Sequence, residues 1–484
     1  MKVLLVDPPM TTVGLNIGLA YLAAALVDHG YEVAVLDLNN SPAKAKPKAA
    51  LKQKVMAFEP DLVGFSMLSR AYGAAIQLIR YLKTFSRVSI VVGGPHVFIA
   101  PGELAEDKDI DYCIIGEGEI TLAELAKTLQ NGADVSTVKG IIYKNGGRII
   151  ETEPRPLLKD LDRLPFPNYR VYGIREIKEY PLLTSRGCPY GCAFCLSPKL
   201  SQHRWRARNP EKLINELVHA VETYRSTSFT IMDDNFTLDA RRAEEFCDLL
   251  MQSGLKLKWW SDNGIRADKV TEGLALKMKQ AGCAGVSLGV ESFDPEVFDR
   301  VNKGETIEQI KKTIRLFRQH KIRVDGFLIV GLPGDTFAKT IKSQTIARQV
   351  GLNQGLTQLL VPYPKTDVWD YVVKSGRFLR DEKSSTTEVV FETEDFSGEE
   401  RRLAYEISTV LNYSYAAFYV GDSVVRSMRT IPHLLSLILR YDLRNIWRHL
   451  FYLPKRGLGY IWRTRIGLTS KQRFERRLGI KFDY

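Results

Sequence analysis

The chain has 484 residues, of which 45% are hydrophobic and 26% charged, so it is too long for one ordinary domain and apolar enough to build two or three cores. Its net charge of +12 is uneven: residues 421–484 carry 14 Lys or Arg against 4 Asp or Glu, a net +10, which leaves +2 for the first 420. No run approaches the roughly 20 apolar residues of a membrane span; the longest candidate, Ile17 to Val27, reads as a core helix, and the six scattered or unpaired cysteines suit a reducing compartment.

The start, Met1-Lys-Val-Leu-Leu-Val-Asp7, has only four apolar residues before an acid and two prolines, so it reads as a buried strand and not a signal sequence. A cytoplasmic protein is expected. Apolar strands then alternate with helical patterns at Val3–Val6, Glu32–Leu36, Leu62–Ser66, Val88–Val92 and Tyr112–Ile115, the pattern of a doubly wound parallel sheet. Ligands of such sheets sit beyond the carboxyl ends of the strands. The unusual residues fall there: Pro8-Pro9, Ser66-Met67-Leu68, Gly93-Gly94-Pro95-His96 and Gly116-Glu117-Gly118-Glu119. A lone His96 after Gly-Gly-Pro reads as a hydrogen-bonded loop residue ahead of a ligand.

Gly140–Glu151 predicts a hairpin turning at Asn145-Gly146-Gly147, which closes a first domain at residues 1–150. Pro154, Pro156, Pro165 and Pro167 then mark residues 151–180 as an extended linker of the composition found where few contacts cross. Leu182-Leu183-Thr184 reads as a strand end, and it is followed by Ser-Arg-Gly-Cys188-Pro-Tyr-Gly-Cys192-Ala-Phe-Cys195. Half of the cysteines lie in the eight residues from Cys188 to Cys195, and Gly187, Pro189 and Gly191 favour a loop in which three sulfurs can converge. Zinc would want a fourth ligand from a second pair, and Cys113, Cys247 and Cys283 are solitary; an iron-sulfur cube on three thiolates keeps one iron open for a substrate.

Further strands are expected at Ser228–Met232, Leu257–Trp260, Gly285–Val290, Val324–Val330 and Thr357–Val361, again with helices between. Polar or special residues follow each strand, as a site at a barrel mouth requires. They are Asp233-Asp234-Asn235, Asn263-Gly-Ile-Arg266-Ala-Asp268, Gly289-Val-Glu291-Ser292, Gly331-Leu-Pro-Gly334-Asp335 and Pro362-Tyr-Pro-Lys365-Thr366. The two acids before Thr237 and Asp239 also read as a helix cap, and Arg266 either reaches a carboxylate or pairs with Asp268. Residues 377–484 form a mainly helical basic region. Arg401–Val420 and Ile431–Leu453 read as helices, the second with an apolar stripe flanked by Arg440, Arg444, Arg448 and Trp447. That composition suits either an anionic membrane surface or packing on the barrel, and suits nucleic acid less well.

The C-x3-C-x2-C spacing with Phe194 before the last cysteine resembles the radical S-adenosylmethionine (SAM) superfamily. Ser66-x-Leu68 after one strand and Gly93-Gly94 after the next resemble the cobalamin-binding domain. The resemblance covers about residues 1 to 376 and implies a Rossmann-like cobalamin domain followed by a partial (βα)6 barrel at 181–376. It implies a 4Fe-4S cluster on Cys188, Cys192 and Cys195, and SAM contacts from Phe194, Asp233 and Asp234 (amino group), Glu291 and Ser292 (ribose and methionine) and Gly331 (adenine side). Ser66, Leu68, Gly93 and Gly94 would enclose the cobalamin tail. The family's Asp-x-His-x-x-Gly motif is replaced by Asp7-Pro-Pro-Met-Thr11, so no protein imidazole should ligate cobalt. Lys365 stands where the family has Gly. The implied function is cobalamin-dependent C-methylation of an unactivated carbon in a hydrophobic, lipid- or isoprenoid-like substrate, with flavodoxin or ferredoxin as electron donor and possible peripheral membrane contact. Radical ring formation within the same family, or a non-catalytic cobalamin or SAM sensor, are the alternatives.

Overall fold

The computed structural model describes residues 1–10, 14–40, 46–380, 386–411 and 480–482. The N-terminal sheet contains β1 (Lys2–Asp7), β2 (Glu32–Asp37), β3 (Leu62–Ser66), β4 (Ser89–Gly93), β5 (Tyr112–Ile114), β6 (Ile141–Asn145) and β7 (Arg148–Glu151) in the order β2-β1-β3-β4-β5-β6-β7. The five strands expected from the apolar runs are all parallel. The predicted hairpin adds an antiparallel edge, with Tyr143 opposite Tyr112, and its turn is made by Gly146 and Gly147 at φ 58° and 82°. Val3 to Val6 of β1 are almost wholly buried, as a strand covered on both faces must be. The first helix, Ile17–Asp28, starts where the Asn16 side chain accepts from the Leu19 amide at 3.1 Å, an N-cap.

After β8 (Ile174–Ile177) come β9 (Glu179–Leu182), the two-residue β10 (Ser185–Arg186) and β11 (Arg206–Ala207), β12 (Ser228–Ile231), β13 (Lys258–Ile265), β14 (Cys283–Glu291), β15 (Arg323–Val330) and β16 (Gln354–Leu359). Strands β9 and β12 to β16 lie side by side in sequence order, all parallel. This is the six-unit partial barrel anticipated. Its helices obey local capping chemistry: Thr306 and Gln309 form a reciprocal capping box for Ile307–Gln319, which satisfies two otherwise orphaned amides.

Residues 151–180 correct the expectation of a contact-poor linker. Leu161 is buried, and Tyr169 and Tyr172 belong to a core cluster that runs from β1 and the first helix into β9 and β12. Asn168 donates its amide to the Ala20 carbonyl at 3.1 Å, and the Tyr172 hydroxyl donates to the Asn16 carbonyl at 2.9 Å. The prolines hold the backbone extended, but Tyr169 and Tyr172 after them bury too much apolar surface for the segment to swing free.

The C-terminal region likewise begins inside the barrel. β17 (Gly376–Phe378) and β18 (Phe391–Thr393) pair antiparallel, and the helix Gly398–Leu411 buries Ala404, Tyr405 and Ile407 against Val330, Leu359 and Ile341. It covers the open β16 edge. β19 (Ile480–Phe482) pairs antiparallel with β8. The predicted helix Ile431–Leu453 and its flanking arginines lie outside the described residues, as does Thr11. Among the described residues no helix is long and apolar enough to cross a membrane.

Candidate active site

A cavity of about 710 Å³ opens at the carboxyl ends of the N-terminal strands. Ser66, Leu68, Gly93 and Gly94, the four residues singled out for a cobalamin tail, all line it. Gly94 has φ 119°, and a Cβ there would stand 2.9 Å from the Met67 carbonyl, so only glycine lets the two loops cross at this point. His96 is absent from the wall. It is fully buried, 3.0 Å from the Ser69 hydroxyl through Nδ1, with its ring 4.8 Å from that of Tyr72; it is hydrogen-bonded as expected, but sits in the short helix Pro95–Ile99 and not in a loop.

Sequence inspection missed the polar floor of this cavity. Asn16 donates from Nδ2 to Asp7 Oδ1 at 2.8 Å and to Ser66 Oγ at 3.1 Å, and Asp7 is only 1% exposed. Burial, reinforced by the charge of Asp37 and only partly countered by Asn16, pushes the Asp7 carboxyl up to about 7. The signal was present as an acid closing a strand of four aliphatics, but its partner is nine residues away in a helix cap.

The opposite wall belongs to the barrel. Ser185, Arg186, Gly187, Ser197, Leu200 and Ser201, on either side of the cysteines, line the same cavity, together with Met232 and Asp234. Gly187 has φ 87°, and a Cβ there would collide with the Arg204 carbonyl and with Ser201. The loop is held at several points. Ala193 donates its amide to Val301 O at 2.9 Å, Gly187 donates to Asp234 Oδ2 at 3.1 Å, and Arg266 stacks its guanidinium 3.4 Å from the centre of the Tyr190 ring. Phe194 packs into an apolar cluster with Val297, Val301 and Leu360.

The donor set of this loop suits a soft metal cluster: three thiols close enough to interact electrostatically, with Lys303 and Arg266 as neighbouring cations. Burial pushes Cys192 up to about 11 and Cys195 to about 12 and raises Cys188 as well, so it takes a bound metal to make them thiolates at neutral pH. Among the described residues no group of three or more His, Cys, Asp or Glu side chains is gathered into metal-holding geometry, the three cysteines included. The residues fit an iron-sulfur cluster in the kind of donor and in the surrounding charge.

The two acids after β12 have separate roles. Asp233 is buried and accepts from the Thr184 amide at 2.6 Å and from the Thr184 and Ser185 hydroxyls at 2.5 Å each. It braces the strand that leads into the cysteine loop. Only Asp234 reaches the cavity. Arg266 pairs with Asp268 at 2.9 Å and also donates to the carbonyls of Lys303 and Gly304.

Glu291 ends β14 at φ 60°, beside a register shift between Gly289 and Glu291. A left-handed Glu is strained by about 1–3 kcal/mol and such strain collects at functional sites. Its Oε1 accepts from Lys303 Nζ at 3.0 Å, and Lys303 also reaches Glu305 at 3.4 Å and the Gly289 carbonyl. Burial works against the Lys303 ammonium, but the two carboxylates more than offset it and its pKa lies above the ordinary lysine value. Lys303 was not foreseen, because nothing local marks a lysine 12 residues from its partner. Ser292 is spent on structure: its hydroxyl accepts from the Asp294 amide at 3.1 Å and it is 4% exposed. Gly331 lies under Arg401, which donates to the Gly331 carbonyl at 3.1 Å. Lys365 adopts φ 70°, the left-handed backbone that explains a family preference for Gly, and its ammonium reaches back to the Phe98 carbonyl at 2.6 Å.

A Rossmann-like sheet and a partial barrel that share one cavity, with a three-cysteine loop behind its wall, define a two-domain α/β protein built to bring two ligands together. Residues 10–126 match the B12 binding domain family and residues 182–343 the Radical SAM superfamily. The chain thus carries a B12 binding domain followed by a Radical SAM domain. It is 29% identical over 465 residues to an uncharacterized methyltransferase of Pyrococcus horikoshii, covering 93% of this chain and 98% of that protein. It is 28% identical over 393 residues to the anaerobic magnesium-protoporphyrin IX monomethyl ester cyclase of Rubrivivax gelatinosus, covering 76% and 69% of the two. Among solved structures, the radical S-adenosylmethionine methyltransferase TsrM from Kitasatospora setae, with cobalamin and a 4Fe-4S cluster bound, aligns with a TM-score of 0.65 at 21% identity over 77% of this chain and 74% of that one. At that identity the likeness is one of fold.

Proposed function

We propose that the protein is a cobalamin-dependent radical SAM methyltransferase that places a methyl group on an unactivated carbon of a small hydrophobic molecule. The observation that carries this function is the shared cavity, whose wall contains both the sheet-end loops at Ser66–Leu68 and Gly93-Gly94 and the segments that flank the cysteines. Cys188, Cys192 and Cys195 would hold the cluster, Asp234 and Glu291 would face SAM, and the loops around Gly94 would hold cobalamin. When bound, the cluster would supply one-electron reduction of SAM and cobalamin would supply the methyl group. The chain's own residues orient and shelter these species. Asp233 braces the entry to the cysteine loop, Arg266 and Lys303 surround it with positive charge, and leucines 15, 19, 22 and 122 with Ile114 and Met232 keep much of the cavity wall apolar.

Relatives called methyltransferases support methyl transfer. Ring formation is the second reading, favoured by the identity to a cyclase. A flavodoxin- or ferredoxin-like electron donor is proposed with either. Contact with an anionic membrane, and with it a lipid-like substrate, rests on the composition of residues 421–484 alone. The packing of the helix Gly398–Leu411 on the barrel supports a functional unit that extends to at least residue 411, beyond the 181–376 division.

Anaerobic incubation of reconstituted protein with methyl-labelled SAM, a reductant and a lipid extract tests the function. Methyl transfer puts label into product and releases both 5′-deoxyadenosine and S-adenosylhomocysteine. Ring formation releases 5′-deoxyadenosine and leaves the product unlabelled.

A further inference from the structure

The turn after β5, Gly116–Glu119, reaches across to the short β10–β11 ribbon that carries the cysteine loop. Glu117 accepts from Arg186 Nη1 at 3.2 Å and from Arg206 Nη1 and Nη2 at 2.9 Å each. Glu119 accepts from Arg186 Nη2 at 2.6 Å. Arg186 stands two residues ahead of Cys188, and Arg206 is its antiparallel partner in the ribbon. The connecting segment joins in: Leu158 donates its amide to Glu117 Oε2 at 2.9 Å and accepts from Arg206 at 2.7 Å. Arg186 also lies over the Tyr21 ring of the first helix at 5.2 Å.

Two carboxylates thus meet two guanidiniums in a sheltered place, with side chains between 8% and 20% exposed. Burial alone would raise the Glu117 carboxyl, but the hydrogen bonds and charge of Arg206 and Arg186 outweigh it and hold it below the usual carboxylate range. A forked Arg–carboxylate pair fixes direction as well as distance, and leaving one member of a buried pair without its partner is strongly unfavourable. The four side chains also line the shared cavity, between the sheet-end loops and the cysteine loop.

We propose that Glu117 and Glu119 are positioning residues that set the separation and orientation of the cysteine loop relative to the N-terminal cavity. The inference rests on the two-cofactor function proposed above. A displacement of about 1 Å between reacting groups can lower a rate by about a hundredfold, so a rigid ionic anchor two residues from the first cysteine bears directly on whether SAM cleavage is followed by productive transfer.

The test uses the full chain, reconstituted anaerobically, as wild type, as the Glu117→Gln/Glu119→Gln double variant, and as the exchanged pair Glu119→Arg/Arg186→Glu. The double variant should retain iron and cobalamin, while amides of residues 185–195 exchange with deuterium about tenfold faster and 5′-deoxyadenosine formed per methylated product rises about tenfold. The exchanged pair should recover part of the amide protection. Wild-type protection and wild-type coupling in the double variant would overturn the proposal, as would loss of both cofactors with a lowered melting temperature, which would reduce the cluster to interdomain glue. If wild type itself makes no methylated product, the proposed function fails, and amide protection alone then decides the positioning claim.

Discussion

At Asp233 one carboxylate answers an amide and two hydroxyls, all buried. Removing it in Asp233→Ala leaves three donors without partners, each unfavourable by about 1–3 kcal/mol, so the variant should lose several degrees of melting temperature in calorimetry while Asp234→Ala loses little. Asp7 makes the complementary case. Its carboxyl is raised from 3.8 to about 7 in the folded chain, so the folded state binds the proton more tightly than the unfolded one. Stability from this group is full below about 3.8 and is lost as pH rises towards 7. Asp7→Asn should therefore raise the melting temperature more at pH 8 than at pH 5; an equal gain at both would show that Asp7 does not titrate in that window. Neither role was legible in the sequence. The cysteines were, because their ligand spacing is local, whereas Asp233 and Lys303 act on partners 49 and 12 residues away that only the fold brings near.

Secondary structure was the level at which the sequence spoke most clearly. The run Val3–Val6 is buried on both sides of a parallel sheet, so it is apolar without interruption and shows as a strand. What stayed hidden was the use of ambiguous segments. The prolines of 151–180 suggested a loose linker, but the decisive feature was Tyr169 and Tyr172 just after Pro167, both buried as core. Similarly, the helix expected from Arg401 starts at Gly398, and its packing on the barrel was not legible from its own sequence. Its Arg401 is 2% exposed, donates to the carbonyls of Phe396 and Gly331 and the hydroxyl of Thr393, and stacks 4.1 Å from the Phe391 ring. Arg401→Ala should destabilise the barrel by about 2–4 kcal/mol. A chain ended at residue 376 should bind a hydrophobic dye strongly, since Val330 and Leu359 lose their cover; a soluble, cooperatively melting product would show that the edge needs none.

At the scale of the molecule, two α/β units meet over one cavity, and a core cluster continuous from Val3 to Phe317 with the Glu117–Arg186–Arg206 ion pairs keeps them from moving independently. Both ligand sites thereby face each other without a hinge between them, and that arrangement is what chemistry shared by two cofactors requires. The most direct measurement is metal and cobalamin content of the anaerobically reconstituted protein, compared with the Cys188→Ala/Cys192→Ala/Cys195→Ala variant. Wild type should hold one cobalamin and about four irons per chain, and the variant should keep the cobalamin, lose the iron and form no 5′-deoxyadenosine. Retention of about four irons in the triple variant would contradict the account.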